Sequence, residues 1–361
     1  MFKRMAYVAL ILALCAGLVA VVVYDRQTKA EEAVALQELK EEVAAKDKEE
    51  REQEEEEDTS ADNTIVCIGD AMTWGTQKIT YTSLITSNVS GYNMDKIGGY
   101  WDTSDDIAIR CGVTKIYVKD VTIPANPKAV AITIYDEDGN EFDVLHNTGS
   151  NFKQVEIAGI AGTLKYDAEK KTHYFTRSTA GTKTKITSLT QITSTIPSFN
   201  KNNIFIFWMG NCDPYYNLSI FHTTNQIKAI INACGIENYI VVGLTSKRRY
   251  TIVDDMNKVV KNQFGDHYLD IRTYLMEKGL KKAGLTATKD DKTDLVKHYI
   301  PRSLLLDDLI HFNKYSNQIL VDRLVKKMQT LKYIDSSSDD EDDDSSSSSE
   351  DSTDTDEEAS S

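Results

Sequence analysis

The chain has 361 residues, 41% hydrophobic and 27% charged, with a formal net charge of −15. That length accommodates a membrane anchor and one main domain with an insertion. Its five cysteines, Cys15, Cys67, Cys111, Cys212 and Cys234, lack any C-x-x-C spacing, which argues against a disulfide framework or a zinc ribbon and for small buried hydrophobes.

The charge is unevenly placed. Residues 335–361 carry 13 acidic groups and no basic ones, and residues 46–58 carry nine acidic and three basic. The remaining body is close to neutral and shows no basic stripe of the kind that binds nucleic acid.

From the N-terminus, Lys3 and Arg4 precede the uncharged run 6–24. At about 1.5 Å per residue it nearly spans a bilayer core. It ends in Val21-Val22-Val23-Tyr24, a poor cleavage site, and Leu14 spoils a lipoprotein box at Cys15. Residues 1–25 are therefore predicted to be an uncleaved signal anchor, a single transmembrane helix. The positive flank keeps the N-terminus cytoplasmic and places the main domain outside. Residues 26–60, rich in Glu, Lys, Ala and Gln, predict a charged helical stalk. Leu36, Leu39 and Val43 have coiled-coil-like spacing, although an exposed helix fraying into disorder fits as well.

The body is expected over residues 61–334. Buried strands are predicted at 65–68, 204–208 and 239–244, with helices at 224–234, 254–264 and 314–331. Such alternation predicts an α/β fold, a parallel sheet flanked by helices on both faces. Residues 113–196 break the rhythm. Their Thr, Val, Ile and Tyr content, the alternation over 129–135, and turn signals at 136–140 and 167–171 predict an all-β insertion. Residues 335–361 have almost nothing apolar to bury and predict a disordered Ser/Asp/Glu tail.

Two segments carry chemistry. Residues 64–75 read Thr-Ile-Val-Cys-Ile-Gly-Asp-Ala-Met-Thr-Trp-Gly, and residues 308–313 read Asp-Leu-Ile-His-Phe-Asn. Together they resemble the first and last blocks of the SGNH/GDSL hydrolases, Gly-Asp-Ser-x-Thr-x-Gly and Asp-x-x-His. The resemblance covers about residues 62–330 and implies an SGNH-like, flavodoxin-like parallel sheet. It also implies that Ala71 occupies the position of the nucleophilic serine, next to Asp70, that His311 is the general base and that Asp308 fixes its tautomer. A methyl group cannot attack a carbonyl, so the nucleophile is lost.

The two middle blocks have drifted. After the strand 203–209 come Gly210-Asn211-Cys212-Asp213, where the resemblance expects Gly-x-Asn-Asp. Cys212 stands on the oxyanion asparagine without a gap, and Asn211 serves if the block shifts by one. In Lys96-Ile97-Gly98-Gly99-Tyr100-Trp101-Asp102-Thr103, Trp101 stands on the oxyanion glycine without a gap, and Gly99 serves with a two-residue insertion. Losing one oxyanion donor costs about 10²–10³ in rate. Losing a triad nucleophile costs roughly 10⁶. Thr73 and Ser104 are the nearest substitute hydroxyls. His146, His173, His222, His267 and His298 have no metal-like spacing and read as surface or turn residues. No metal or cofactor is implied.

The resulting expectation is a membrane-anchored, extracytoplasmic SGNH-like protein without esterase chemistry that binds an acylated carbohydrate or another cell-envelope ligand. Two other classes stay open. One is a serine esterase or carbohydrate deacetylase in which Ala71 stands in place of a serine. The other is a stalked structural surface protein.

Overall fold

The computed structural model describes residues 63–75, 78–146, 154–194, 199, 202–245 and 252–335. The expected anchor (1–25), stalk (26–60) and nearly all of the acidic tail (335–361) lie outside the described residues. No helix among the described residues is long and apolar enough to cross a membrane.

β1 (Thr64–Gly69) leads through the single turn α1 (Ala71–Trp74) and α2 (Tyr81–Asn88) to β2 (Asn93–Gly98) and α3 (Ser104–Arg110). After eight short strands the rhythm resumes with β11 (Ile204–Trp208), α4 (Ile220–Ala233), β12 (Tyr239–Val242), α5 (Val253–Phe264) and β13 (Tyr268–Leu269). The short helices α6 (Ile271–Tyr274), α7 (Leu280–Lys282) and α8 (Lys289–Val296) precede the long α9 (Lys314–Thr330).

β1, β2, β11, β12 and β13 form one parallel sheet in the order β13-β12-β11-β1-β2. Numbered by appearance within that sheet, the order is 2-1-3-4-5, the flavodoxin-like arrangement. Alternate residues of each strand enter opposite cores, as the two-residue strand period requires. Ile65, Cys67, Ile206, Trp208 and Val242 meet Tyr81 and Ile85 of α2 and Leu320, Leu324 and Met328 of α9. Val66, Ile68, Phe205, Phe207 and Val241 meet Ile107 of α3, Ile230 of α4 and Val260 of α5. With both faces covered, the strands read as unbroken apolar runs rather than as alternation.

The eight strands between α3 and β11 are β3 (Ile116–Val118), β4 (Val121–Ile123), β5 (Val130–Ile132), β6 (Gln154–Ile157), β7 (Ile160–Asp167), β8 (Thr172–Arg177), β9 (Thr184–Ile186) and β10 (Thr190–Ser194). Six of them form a sheet of order β3-β10-β6-β7-β8-β5, and β4 pairs with β9. They surround a core of their own that includes Val118, Ile123, Val155, Leu164 and Phe175. β7 and β8 form a hairpin around Asp167, whose carboxylate accepts from the Glu169 and Lys170 backbones. The stretch 136–140 is a turn closed from Asn140 to Asp136, but its flanks pair only through the single bridges of Tyr135 to Tyr117 and Glu141.

His173 corrects the surface reading of the histidines. It lies at a buried step of β8, and its Nε2 is 3.0 Å from the Leu145 carbonyl. The four cysteines among the described residues are unbridged, and three are buried. Burial pushes the Cys67 thiol up to about 12, partly offset by its hydrogen bond with Tyr81, so it behaves as an inert core group.

Candidate active site

In an open parallel sheet, ligands bind outside the carboxyl ends of the strands where the strand order reverses. Here that point lies between β1 and β11, so the segments after Gly69 and after Trp208 define the crevice. Gly69 and Gly98 sit side by side at the ends of β1 and β2. A Cβ on Gly98 would collide with the Gly69 carbonyl, and one on Gly69 with the Trp208 carbonyl. The strands therefore close together at the crevice floor only because both residues are glycine. Gly210, at φ +104, is likewise confined, since a Cβ would stand 2.8 Å from the Thr223 methyl.

Asp70 caps α1 by accepting from Met72 N at 3.0 Å. It is fully buried. Its Oδ2 also accepts from Asn211 N at 2.9 Å and from Asn211 Nδ2 at 3.1 Å. Burial pushes the Asp70 carboxyl up to about 6. The three donated hydrogen bonds oppose that shift, and the neighbouring Asp213 carboxylate adds to it. The gapped reading sets Asn211 as an oxyanion donor, but the structure turns its carboxamide onto Asp70. A buried carboxylate needs those donors, and that requirement fixes the side chain. Cys212 is buried at 1% exposure, where it precedes a 3₁₀ turn at Asp213–Tyr216.

Around the second block, Gly99 is buried and its carbonyl accepts from Asp102 N at 3.3 Å. Trp101, not Gly99, takes the left-handed backbone, at φ +64. That is the conformation glycine adopts without cost, and it falls where the ungapped reading expects a glycine. Asp102 forms a wholly buried two-pronged pair with Arg110, at 2.6 and 3.2 Å.

The last block is intact in geometry. Asp308 Oδ2 lies 2.6 Å from His311 Nδ1, and Asp308 Oδ1 accepts from the backbones of Ile310 and His311, each at 2.9 Å. Partial burial pushes the Asp308 carboxyl up. The bonds from the His311 ring and from the two backbone N–H groups outweigh that and hold it below the usual carboxylate range. His311 does not begin a helix. It sits in a turn closed by the Leu305–Phe312 bridge, and Asn313 supplies the cap of α9.

His311 and Ala71 line one crevice with Met72, Gly75, Thr80 and Phe312. Its free volume is about 10 Å³, close to the room of a single water molecule. The two ends of the sequence motif thus meet in space, with Ala71 and His311 lining one crevice. Neither substitute hydroxyl reaches this crevice. Thr73 is buried, accepting from the Tyr81 hydroxyl at 3.0 Å and facing the Trp208 carbonyl. Ser104 is buried in the first turn of α3, where its N–H donates to Asp213 at 2.7 Å. Among the described residues no cluster of three or more His, Cys, Asp or Glu is placed to hold a metal.

Residue spacing gives no warning of two groups of ring contacts. Trp101 and Tyr215 meet edge to face at 5.8 Å. Tyr216 stacks on His146 at 5.7 Å, and His146 meets Tyr166 at 5.0 Å. The contributors are far apart in sequence, at 101, 146, 166 and 215–216.

No family profile and no curated protein matches the chain. Among solved structures it is similar to a lipase/acylhydrolase from Enterococcus faecalis, at 12% identity over 74% of this chain and 96% of that one, with a TM-score of 0.38. It is also similar to a member of the lipolytic G-D-S-L family from Veillonella parvula, at 10% identity, 73% and 96% coverage and a TM-score of 0.38. A third is a psychrotrophic esterase from Pseudoalteromonas sp., at 11% identity, 75% and 99% coverage and a TM-score of 0.36. The 2-1-3-4-5 sheet, with the Gly69-Asp70 block and the Asp308–His311 dyad meeting at its switch point, makes the fold SGNH/GDSL-like.

Proposed function

We propose that this protein is an SGNH-like scaffold that has given up ester hydrolysis and binds an acylated carbohydrate or another cell-envelope ligand at the switch-point crevice. The apolar run 6–24 would hold it at a membrane, with the body on the extracytoplasmic side. The observation that carries the reading is the pairing of a preformed Asp308–His311 dyad with the Ala71 methyl in one crevice. The sequestered Thr73 and Ser104 hydroxyls support it, because neither lies in the crevice that His311 lines.

The test is hydrolysis of p-nitrophenyl acetate by the full chain, by Ala71→Ser, and by Ala71→Ser combined with His311→Ala. The unchanged chain is expected at background. Ala71→Ser is expected to gain turnover that the double variant loses, because base and orienting carboxylate already stand in place. Turnover by the unchanged chain that His311→Ala abolishes would overturn the proposal.

A further inference from the structure

Two cysteines close neighbouring helices in the same way. α3 ends Arg110-Cys111-Gly112-Val113, and α4 ends Ala233-Cys234-Gly235-Ile236. In each, the cysteine precedes a glycine in the left-handed conformation, at φ +71 and +60. The apolar residue that follows reaches back five positions. Val113 N donates to the Ala108 carbonyl and Ile236 N to the Ile231 carbonyl, both at 2.9 Å. These are matching C-terminal caps of one type.

The two helices run in the same direction. At their N-terminal ends, Asp105 of α3 meets His222 and Gln226 of α4, at 2.7 and 2.6 Å, and Ser104 N donates to Asp213. Their C-terminal ends share a core. Ile107 and Ile230, each one turn before a cysteine, are buried in it with Cys111, and Cys234 packs against it. Close-packed helix axes lie about 8–10 Å apart, which leaves facing Cα atoms about 4–5 Å apart, within reach of a disulfide. After burial, Cys234 is the group that bears most on the Cys111 thiol, ahead of the adjoining Arg110. Both thiols are free in this structure.

We propose that Cys111 and Cys234 form a disulfide when the chain folds under oxidising conditions, tying the C-terminal ends of α3 and α4 together. The segment between them, 112–233, contains all eight strands of the β-rich insertion, so the bond closes that insertion into a covalent loop. It also braces, from the opposite end, the two helices joined through Ser104 and Asp213.

The oxidant is a small disulfide such as oxidised glutathione. The Cys234 thiolate attacks one of its sulfurs, forming a mixed disulfide and releasing one glutathione thiolate. The Cys111 thiolate then attacks the Cys234 sulfur and releases the second. The two cysteine protons pass to the two glutathiones, so two thiols are oxidised and one disulfide is reduced. The step belongs to folding, because burial in the finished fold pushes the Cys111 thiol well above its usual range and keeps it from acting as a thiolate. The same burial then shields the bond from reductants. An extracytoplasmic body would meet such an oxidant, while the pairing itself rests only on the helix ends.

In the test, the full chain is unfolded under reduction and refolded in mild detergent with reduced and oxidised glutathione. Remaining thiols are blocked, and the digest is read by mass spectrometry without reduction. A peptide pair joined through Cys111 and Cys234 is expected as the dominant bridge. The Tm of the oxidised chain should exceed that of the same chain in dithiothreitol by at least about 5 °C. Cys111→Ala and Cys234→Ser should each abolish both the joined peptide and the shift. Should the first variant fail to fold, the second, at a half-buried site, carries the comparison.

A digest without that peptide pair overturns the proposal. So does a scatter of bridges in which Cys111–Cys234 is no commoner than the pairs made by Cys67 or Cys212, or a Tm shift that Cys234→Ser retains. The buffer supplies the oxidant and no ester is present, so either result leaves the proposed function to be judged by its own test.

Discussion

The two halves of the crevice have met different fates. At the strand ends, Asp70, Asn211 and Asp213 are buried and spend their polar groups on one another and on neighbouring backbone. At the turn before α9, Asp308 is 44% exposed in its side chain and holds His311 Nδ1 at 2.6 Å. Asp308 also closes the turn by accepting two backbone N–H groups, so its position is secured by local structure, with or without a nucleophile. Asn211 has no such local role, and its direction follows the nearest buried charge. Side-chain geometry is secured where the same atoms also hold the backbone.

The sharpest break of that contrast lies just behind the strand ends. Asp102→Ala removes the two-pronged carboxylate partner of the buried Arg110 guanidinium, and should cost about 3–5 kcal/mol in urea unfolding. A loss under about 1 kcal/mol would show that water reaches Arg110. Next in size is the pH response. Asp70 is raised from 3.8 to about 6, so the folded state binds the extra proton between those values. The Asp70 contribution to stability is therefore fully present below about 4 and is lost as pH rises through about 6, by up to about 3 kcal/mol. Asp308 has the opposite sign. Its carboxyl is lowered, so its contribution is present above the usual carboxylate range and is lost on acidification. Thermal unfolding of Asp70→Asn and Asp308→Asn across pH 3–7 should flatten the first slope and the second separately.

Asn211→Ala should cost roughly 1–3 kcal/mol, because Asp70 loses its side-chain donor while staying buried. It should also move the Asp70 titration above about 6. Asp308→Ala should cost less than about 1 kcal/mol at neutral pH, since the group is half in water. In an Ala71→Ser background it should nonetheless remove most of the gained turnover, because His311 loses its orienting partner. If Asp308→Ala proved the more destabilising of the two, the contrast between the halves would be reversed.

Much of this layout is legible in the sequence. The apolar runs at 65–68 and 204–208 predict buried parallel strands, and Gly69-Asp70 and Asp308-x-x-His311 mark the two parts that meet. The helices predicted at 254–264 and 314–331 fall within a residue of α5 and α9. What stays hidden depends on partners distant in sequence. Asn211 meets Asp70 across 141 residues, and no local pattern records that the amide is needed to satisfy a buried carboxylate. His173 looks like a polar residue in a Thr/Tyr-rich stretch, yet the two-residue period of β8 turns it inward to the Leu145 carbonyl. The ring contacts join residue 101 to 215 and residues 146 and 166 to 216, so no window of sequence contains them.

The backbone of Trp101 has a consequence for selection. A residue with a side chain pays a conformational penalty at φ +64 that glycine avoids. In a library sorted only for survival on heating, position 101 should drift toward glycine. The enrichment of glycine over tryptophan at that codon would measure what the left-handed backbone costs the fold.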